Sequence, residues 1–231
     1  NVTPSDRLSE EMLFNDREGF VKALNGVYIE LNTNELYGRN LTAGALDVMG
    51  QYYSVASSSH AFYNYGGLVY TGNDEKALFD NMWQKCYAVI ACCNTIIEKC
   101  DENKAGLSPV WKGSIKGEAL ALRAMLHFDM LRLFGPLTSE LDKESIPYQT
   151  NSDQTVTPLL SGSEVIGLIL DDLKNAVGLL KDTDPYFVEE EFSDTDLNYR
   201  RFRMNYFAAK GLMARVQLWG GDKEKAAITA K

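Results

Sequence analysis

The stretch from 51 to 70 crowds Tyr52, Tyr53, His60, Phe62, Tyr63, Asn64, Tyr65 and Tyr70 around Gly66-Gly67. Such a mixture can recognise a sugar. The C–H face of a pyranose stacks on an aromatic ring, and its hydroxyls bond to Asn and Tyr. Loops carried on a rigid scaffold are where such contacts gather. Tyr52, Tyr53, Tyr63, Asn64 and Tyr65 are therefore the candidate ligand-binding residues. The competing reading is that these tyrosines pack the loop down, because Tyr buries its ring and leaves its hydroxyl wet.

The other reactive residues form no catalytic constellation. His60 falls in the loop, and His127 sits between Leu126 and Phe128 in a helical pattern, which reads as a packed imidazole. Glu118 and Asp129 lie on one helix among Lys116, Arg123 and Arg132 and read as a solvated, salt-linked stripe. Asp182, Asp184, Glu189, Glu190, Glu191, Asp194 and Asp196 make an acidic insertion without EF-hand spacing, so they read as a solvated loop. No HExxH, GxSxG, Walker or GxGxxG pattern occurs. No metal site and no cofactor are expected, and no enzyme activity.

Cys86, Cys92, Cys93 and Cys100 contain no CxxC. On a helix, Cys86 and Cys93 lie about 10 Å apart along the axis, beyond the roughly 7 Å Cα separation that a disulfide allows. They share a side with Ile90 and Ile97, so packed free thiols are expected.

The 231 residues carry a net charge of −9 with 45% hydrophobic and 24% charged residues. That is globular composition, and the acidic balance argues against nucleic acid, which needs Lys/Arg clusters. The same reason argues against a polybasic membrane-surface site. No apolar run approaches the roughly 18 residues of a membrane span. Asn1 opens the sequence with no signal segment, so the targeting segment of an exported protein would be removed or lie outside this sequence, and a cytosolic protein would read the same.

These residues are positioned by helices. Residues 15–31 place Phe20, Leu24, Val27, Tyr28 and Leu31 on one helical face. Residues 35–74 are broken by glycines and read as loop with one short helix near 41–53. A long helix spans about 75–100. Ser108 and Pro109 start the next, and Gly135 is expected in the left-handed conformation after its last turn, with Pro136 blocking continuation. That helix is apolar on two sides and belongs inside a helical array. Residues 136–160 read as a long extended connection. Ser161 and Glu164 form a capping box before a further helix. Another helix, about 205–219, ends at Gly220-Gly221, and Asp222 caps a last short one.

A shift of 85 positions pairs Ala124 with Ala209, Leu131 with Val216, Phe134 with Trp219 and Gly135 with Gly220. Small residues at fixed places, then an aromatic and Gly, suit stacked helix pairs. The fold class expected is mainly α, an irregular tetratricopeptide-like helical array with long loops. Residues 1–74 would form an N-terminal arm, helix and aromatic loop region, and residues 75–231 the helix pairs.

The order of TPSDRLSEEMLFND, ALNGVY, LTAGALDVMG, MWQKCYAVIACCNTIIE, KGEALALRAMLHFDMLRLFGP, IPYQT, SEVIGLILDDLKNAVGLL and NYFAAKGLMARVQLWGGDKEKA resembles the SusD/RagB family of nutrient-binding outer-membrane lipoproteins. Gly135-Pro136-Leu137 replaces the family's more usual Gly-Asp-x-Pro turn. The resemblance implies a SusD-like fold and a surface-exposed, non-catalytic protein of the cell outer membrane. Its tether would be a lipidated cysteine upstream of Asn1. It would bind oligosaccharide, or peptide in RagB-like members, and work with a SusC-like TonB-dependent transporter. The resemblance also implies that the chain is truncated, because family members continue further. Ala226, Ala227 and Ile228 then form an uncovered patch on the last helix, and the chain alone is expected to bind glycan weakly or not at all. A tetratricopeptide adaptor and a helical-barrel glycosidase are the rival readings.

Overall fold

The computed structural model describes residues 10–153, 155–188 and 200–231. Most of the acidic insertion, including Glu189, Glu190, Glu191, Asp194 and Asp196, lies outside the described residues, as does the TPSDR opening. The elements in chain order are α1 (Glu10–Leu13), α2 (Arg17–Leu31), α3 (Ala45–Met49), α4 (Tyr63–Gly66), α5 (Asn73–Glu102) and α6 (Pro109–Phe134). They continue with β1 (Glu144–Pro147), β2 (Leu159–Ser161), α7 (Gly162–Thr183), α8 (Tyr206–Trp219) and α9 (Lys223–Thr229). The architecture is mainly α. Two units emerge. One is Asn25–Val89, and the other combines Asn1–Leu24 with Ile90–Lys231.

In the larger unit the local signals operate as the sequence predicts. Ser108 accepts from the Trp111 N–H at 3.3 Å, and Pro109 occupies the first turn of α6. Ser161 and Glu164 cap α7 reciprocally: the Ser161 N–H donates to Glu164 at 2.9 Å, and the Glu164 N–H to Ser161 Oγ at 3.3 Å. Asn205 caps α8 through the Ala208 N–H, and Asp222 caps α9 through the Lys225 N–H. Helix α6 buries residues on every side, from Ile115 to Leu131, because it packs on α7 and touches α8 and β1. The 85-position register survives at its centre, where Ala124, Ala209, Leu131 and Val216 are all buried. On α9, Ala226 is buried, whereas Ile228 is exposed.

Several expectations are corrected. Gly135 is extended (φ −83°, ψ 179°), not left-handed. A following proline disfavours helical ψ and drives the preceding residue to extended backbone. Glycine is still required, because a Cβ there would lie 2.5 Å from the Leu131 carbonyl. The connection 136–160 contributes β1 to a two-stranded antiparallel sheet with β2, pairing Glu144 with Ser161 and Pro147 with Leu159. Strands this short carry no readable alternation. A short helix, α4, also forms within the stretch read as loop.

The largest correction concerns charge. Glu118 and Arg123 are buried, not solvated. Arg123 donates through Nε and Nη2 to Asp172 of α7 at 2.7 and 2.6 Å, and through Nη1 to Asn94 at 2.8 Å. The Tyr148 hydroxyl donates to the same carboxylate at 2.6 Å. Glu118 accepts from Arg200 and, at 2.8 Å, from Arg203. Asp184, read as part of a solvated loop, is fully buried; it accepts from Arg200 at 2.8 Å and from the backbone N–H of Tyr186 and Tyr206. Partners this distant in sequence let buried charges be satisfied. Asp129 and Arg132 do form the exposed pair expected of that stripe.

His127 is packed as expected. Its ring stacks on Tyr148 at 3.9 Å between centroids, and its Nε2 accepts from the Gln149 N–H at 3.0 Å. That leaves the proton on Nδ1, 3.0 Å from the Arg123 carbonyl. Burial pushes the imidazole down to about 3. All four cysteines are free; Cys86, Cys93 and Cys100 are buried as expected, but Cys92 is exposed.

Candidate functional site

The aromatic loop lies wholly in the Asn25–Val89 unit. Its floor is built first. Leu36, Leu41, Ala45 and Val48 are buried, and α3 packs on α4. Gln51 then takes a left-handed φ of 60° and donates to the Gly66 carbonyl at 2.8 Å, which joins the start of the loop to the end of α4. Leu68 leaves the loop with another left-handed φ of 56°. Non-glycine residues rarely adopt this region, and such strain gathers at functional sites.

Tyr52, Tyr53, Tyr63, Asn64 and Tyr65 do not share one role. Tyr52 is 83% exposed and lies over Gly50, whose Cβ would sit 3.0 Å from the ring. Tyr53 and Tyr63 are each 42% exposed. The Tyr53 hydroxyl donates to the Ala43 carbonyl, with the Gly44 carbonyl at 3.2 Å, so this ring is fixed while part of its surface stays open. Tyr65 is only 2% exposed and anchors a ring cluster with Phe62, Tyr70 and Phe79, at 5.8, 6.2 and 6.0 Å between centroids. Burial, then the charges of Glu75 and Asp74, push its phenol up to about 12. Packing therefore governs Tyr65, and exposure governs Tyr52, Tyr53 and Tyr63.

A cavity of about 590 Å³ opens beside this cluster, lined among others by Arg39, His60, Phe62, Asn64, Asp74 and Glu75. That size suits a small ligand. The Arg39 guanidinium lies 5.7 Å from the Phe62 ring centroid, and its Nε donates to Asn40 at 3.1 Å. His60 Nδ1 accepts from the Phe62 N–H at 3.1 Å, so the neutral ring carries its proton on Nε2 and offers a donor. Asn64 Nδ2 donates to Glu75 at 2.8 Å. An aromatic ring thus stands among fixed donors and acceptors, an arrangement for recognising hydroxyl groups. A second hollow, about 540 Å³, lies beside Arg17 and Trp111. There the guanidinium already covers the indole at 4.8 Å, so the aromatic face is taken. Among the described residues no group of three or more His, Cys, Asp or Glu is placed to hold a metal ion.

Arg39, Asp74 and Glu75 escaped the sequence reading because they lie outside the aromatic window. One signal was available: Glu75 is the third residue of a long helix that starts after Gly72, where an acidic side chain folds back over the helix start.

A profile of a SusD-like family described as "Starch-binding associating with outer membrane" matches residues 5–218. The SusD-like protein P2 of Formosa agariphila is 25% identical over 99% of this chain and 41% of its own length. A SusD-like carbohydrate binding protein of known structure from Bacteroides vulgatus superposes with a TM-score of 0.73 at 23% identity, over 93% of this chain and 44% of that one. A laminarin-binding SusD-like protein superposes with a TM-score of 0.67 at 16% identity, over 93% and 42%. The chain therefore spans less than half the length of these relatives. At such identities the solved structures establish the fold, while the profile covers most of the sequence: the chain belongs to the SusD-like family.

Proposed function

We propose that this protein binds oligosaccharides at the surface of the outer membrane and passes them to a SusC-like TonB-dependent transporter, without transforming them. The observation that carries this reading is the cavity in which Phe62 stands among Arg39, His60, Asn64 and Glu75, with Tyr52, Tyr53 and Tyr63 presented nearby in sequence. Family membership supports it, and so do the relatives described as carbohydrate-binding or laminarin-binding. No described helix is long and apolar enough to cross a membrane. In this reading the aromatic loop and the first turn of α5 carry the ligand face. The helix pairs in residues 75–231 present continuous surface to the transporter.

Affinity electrophoresis of the protein at its full natural length, in gels containing soluble starch or laminarin, tests the ligand face, the two polysaccharides being those that the family and the relative suggest. Alanine at Tyr52, Tyr53, Tyr63 or Asn64 should reduce retardation, and alanine at Tyr65 should do so by loosening the loop. Unchanged mobility in all five folded variants would rule the loop out. Cross-linking in outer membranes should join the helix pairs to a SusC-like barrel. Cross-links confined to residues 51–70 would reverse the assignment of faces.

A further inference from the structure

Glu75 is 5% exposed, a nearly buried carboxylate in the first turn of α5. Its side chain folds back against Gly72: a Cβ on that glycine would lie 2.0 Å from Glu75 Oε2. The glycine therefore makes room for this one side-chain position. Glu75 Oε1 accepts from Asn64 Nδ2 at 2.8 Å. A carboxylate offers only acceptor oxygens, so the amide has no choice of orientation: it must give its NH₂ to Glu75. Asn64 Oδ1 is then the atom left to accept from a ligand.

The rest of the cavity complements an acceptor at that position. Arg39 uses Nε on Asn40, which leaves its terminal nitrogens as donors, and His60 offers Nε2–H. The lining charge is one guanidinium against the carboxylates of Asp74 and Glu75, a balance that disfavours an anionic ligand. We propose that Glu75 is a positioning residue that holds Asn64 as a hydrogen-bond acceptor. The cavity then takes neutral sugars whose hydroxyls donate to Asn64 and accept from Arg39. The inference rests on the carbohydrate-binding reading above and names what that site selects.

Three variants test it. Glu75→Gln keeps size but can donate as well as accept, so it frees the Asn64 amide to flip. Gly72→Ala displaces Glu75 without altering it. The exchange Asn64→Asp with Glu75→Gln reverses donor and acceptor, restoring the bond and leaving an acceptor oxygen at position 64. In NMR spectra the Asn64 side-chain NH₂ should exchange slowly with solvent in the wild type and quickly in Glu75→Gln and Gly72→Ala. In starch or laminarin gels both single changes should weaken binding by about tenfold, the scale of one misaligned hydrogen bond. The exchange variant should return to within about threefold of wild type, which a merely structural role for Glu75 would not produce. A rapidly exchanging Asn64 amide in the wild type, wild-type affinity in Glu75→Gln, or an exchange variant as weak as Glu75→Gln would each overturn the role of Glu75 and leave the glycan reading standing. Failure of both polysaccharides to retard the wild-type protein at its full natural length would overturn the glycan reading, and the role of Glu75 with it.

Discussion

Protonating His127 should destabilise this protein from within. The ring is fully buried, its Nε2 accepts from the Gln149 N–H, and the positive charge of Arg123 also disfavours a second proton. A proton on Nε2 would remove that acceptor and place a second positive charge in a dry site. The folded value of about 3 lies far below the 6.5 of a free imidazole. Because the folded value is depressed, the unfolded chain binds the proton first as pH falls. The stabilisation is complete above about 6.5 and is lost as pH drops towards 3. Between pH 7 and pH 5 this one residue should cost about 2 kcal/mol, integrating roughly 1.4 kcal/mol per pH unit over the part of that window where the unfolded histidine is charged. His127→Gln does not titrate and keeps an acceptor near Nε2, so groups common to both proteins cancel in the comparison. Urea unfolding at pH 7, 6, 5.5 and 5 should show the wild type losing that extra stability as pH falls. Parallel losses in the two proteins would refute the reasoning.

Asp172→Asn should destabilise the fold by about 3–5 kcal/mol, because Arg123 would be left buried without its counter-charge, whereas Arg123→Met with Asp172→Leu should cost much less; a loss below about 1 kcal/mol in urea unfolding of the single variant would contradict this. Thiol titration of the denatured, unreduced protein should find all four cysteines free. In the native protein Cys92 should react first, since burial pushes the Cys100 thiol up to about 12 and Cys93 higher still; two or fewer thiols after denaturation would refute it. Gly135→Ala should lower the urea midpoint by an amount equivalent to about 1–3 kcal/mol, since its Cβ would press on the Leu131 carbonyl; an unchanged midpoint would show that the turn relaxes freely.

The sequence by itself determined whatever depends on neighbours a few residues apart. Ser108-Pro109, the Ser161/Glu164 box, Asn205 and Asp222 mark helix starts because a cap bonds an N–H two or three residues on. The two-sided apolar pattern of α6 gave away its burial, and the ordered segments pointed to the SusD/RagB family. Tertiary structure alone decided which charges are buried and which rings stay open. Glu118 meets Arg200 across 82 positions, Arg123 meets Asp172 across 49, and Asn64 meets Glu75 across 11. No local pattern encodes such pairings. Tyr52 and Tyr65 are the same residue type in the same glycine-broken loop, yet one faces water and the other closes a ring cluster. That difference arises only when the left-handed turns at Gln51 and Leu68 fold the loop onto the residues beneath it.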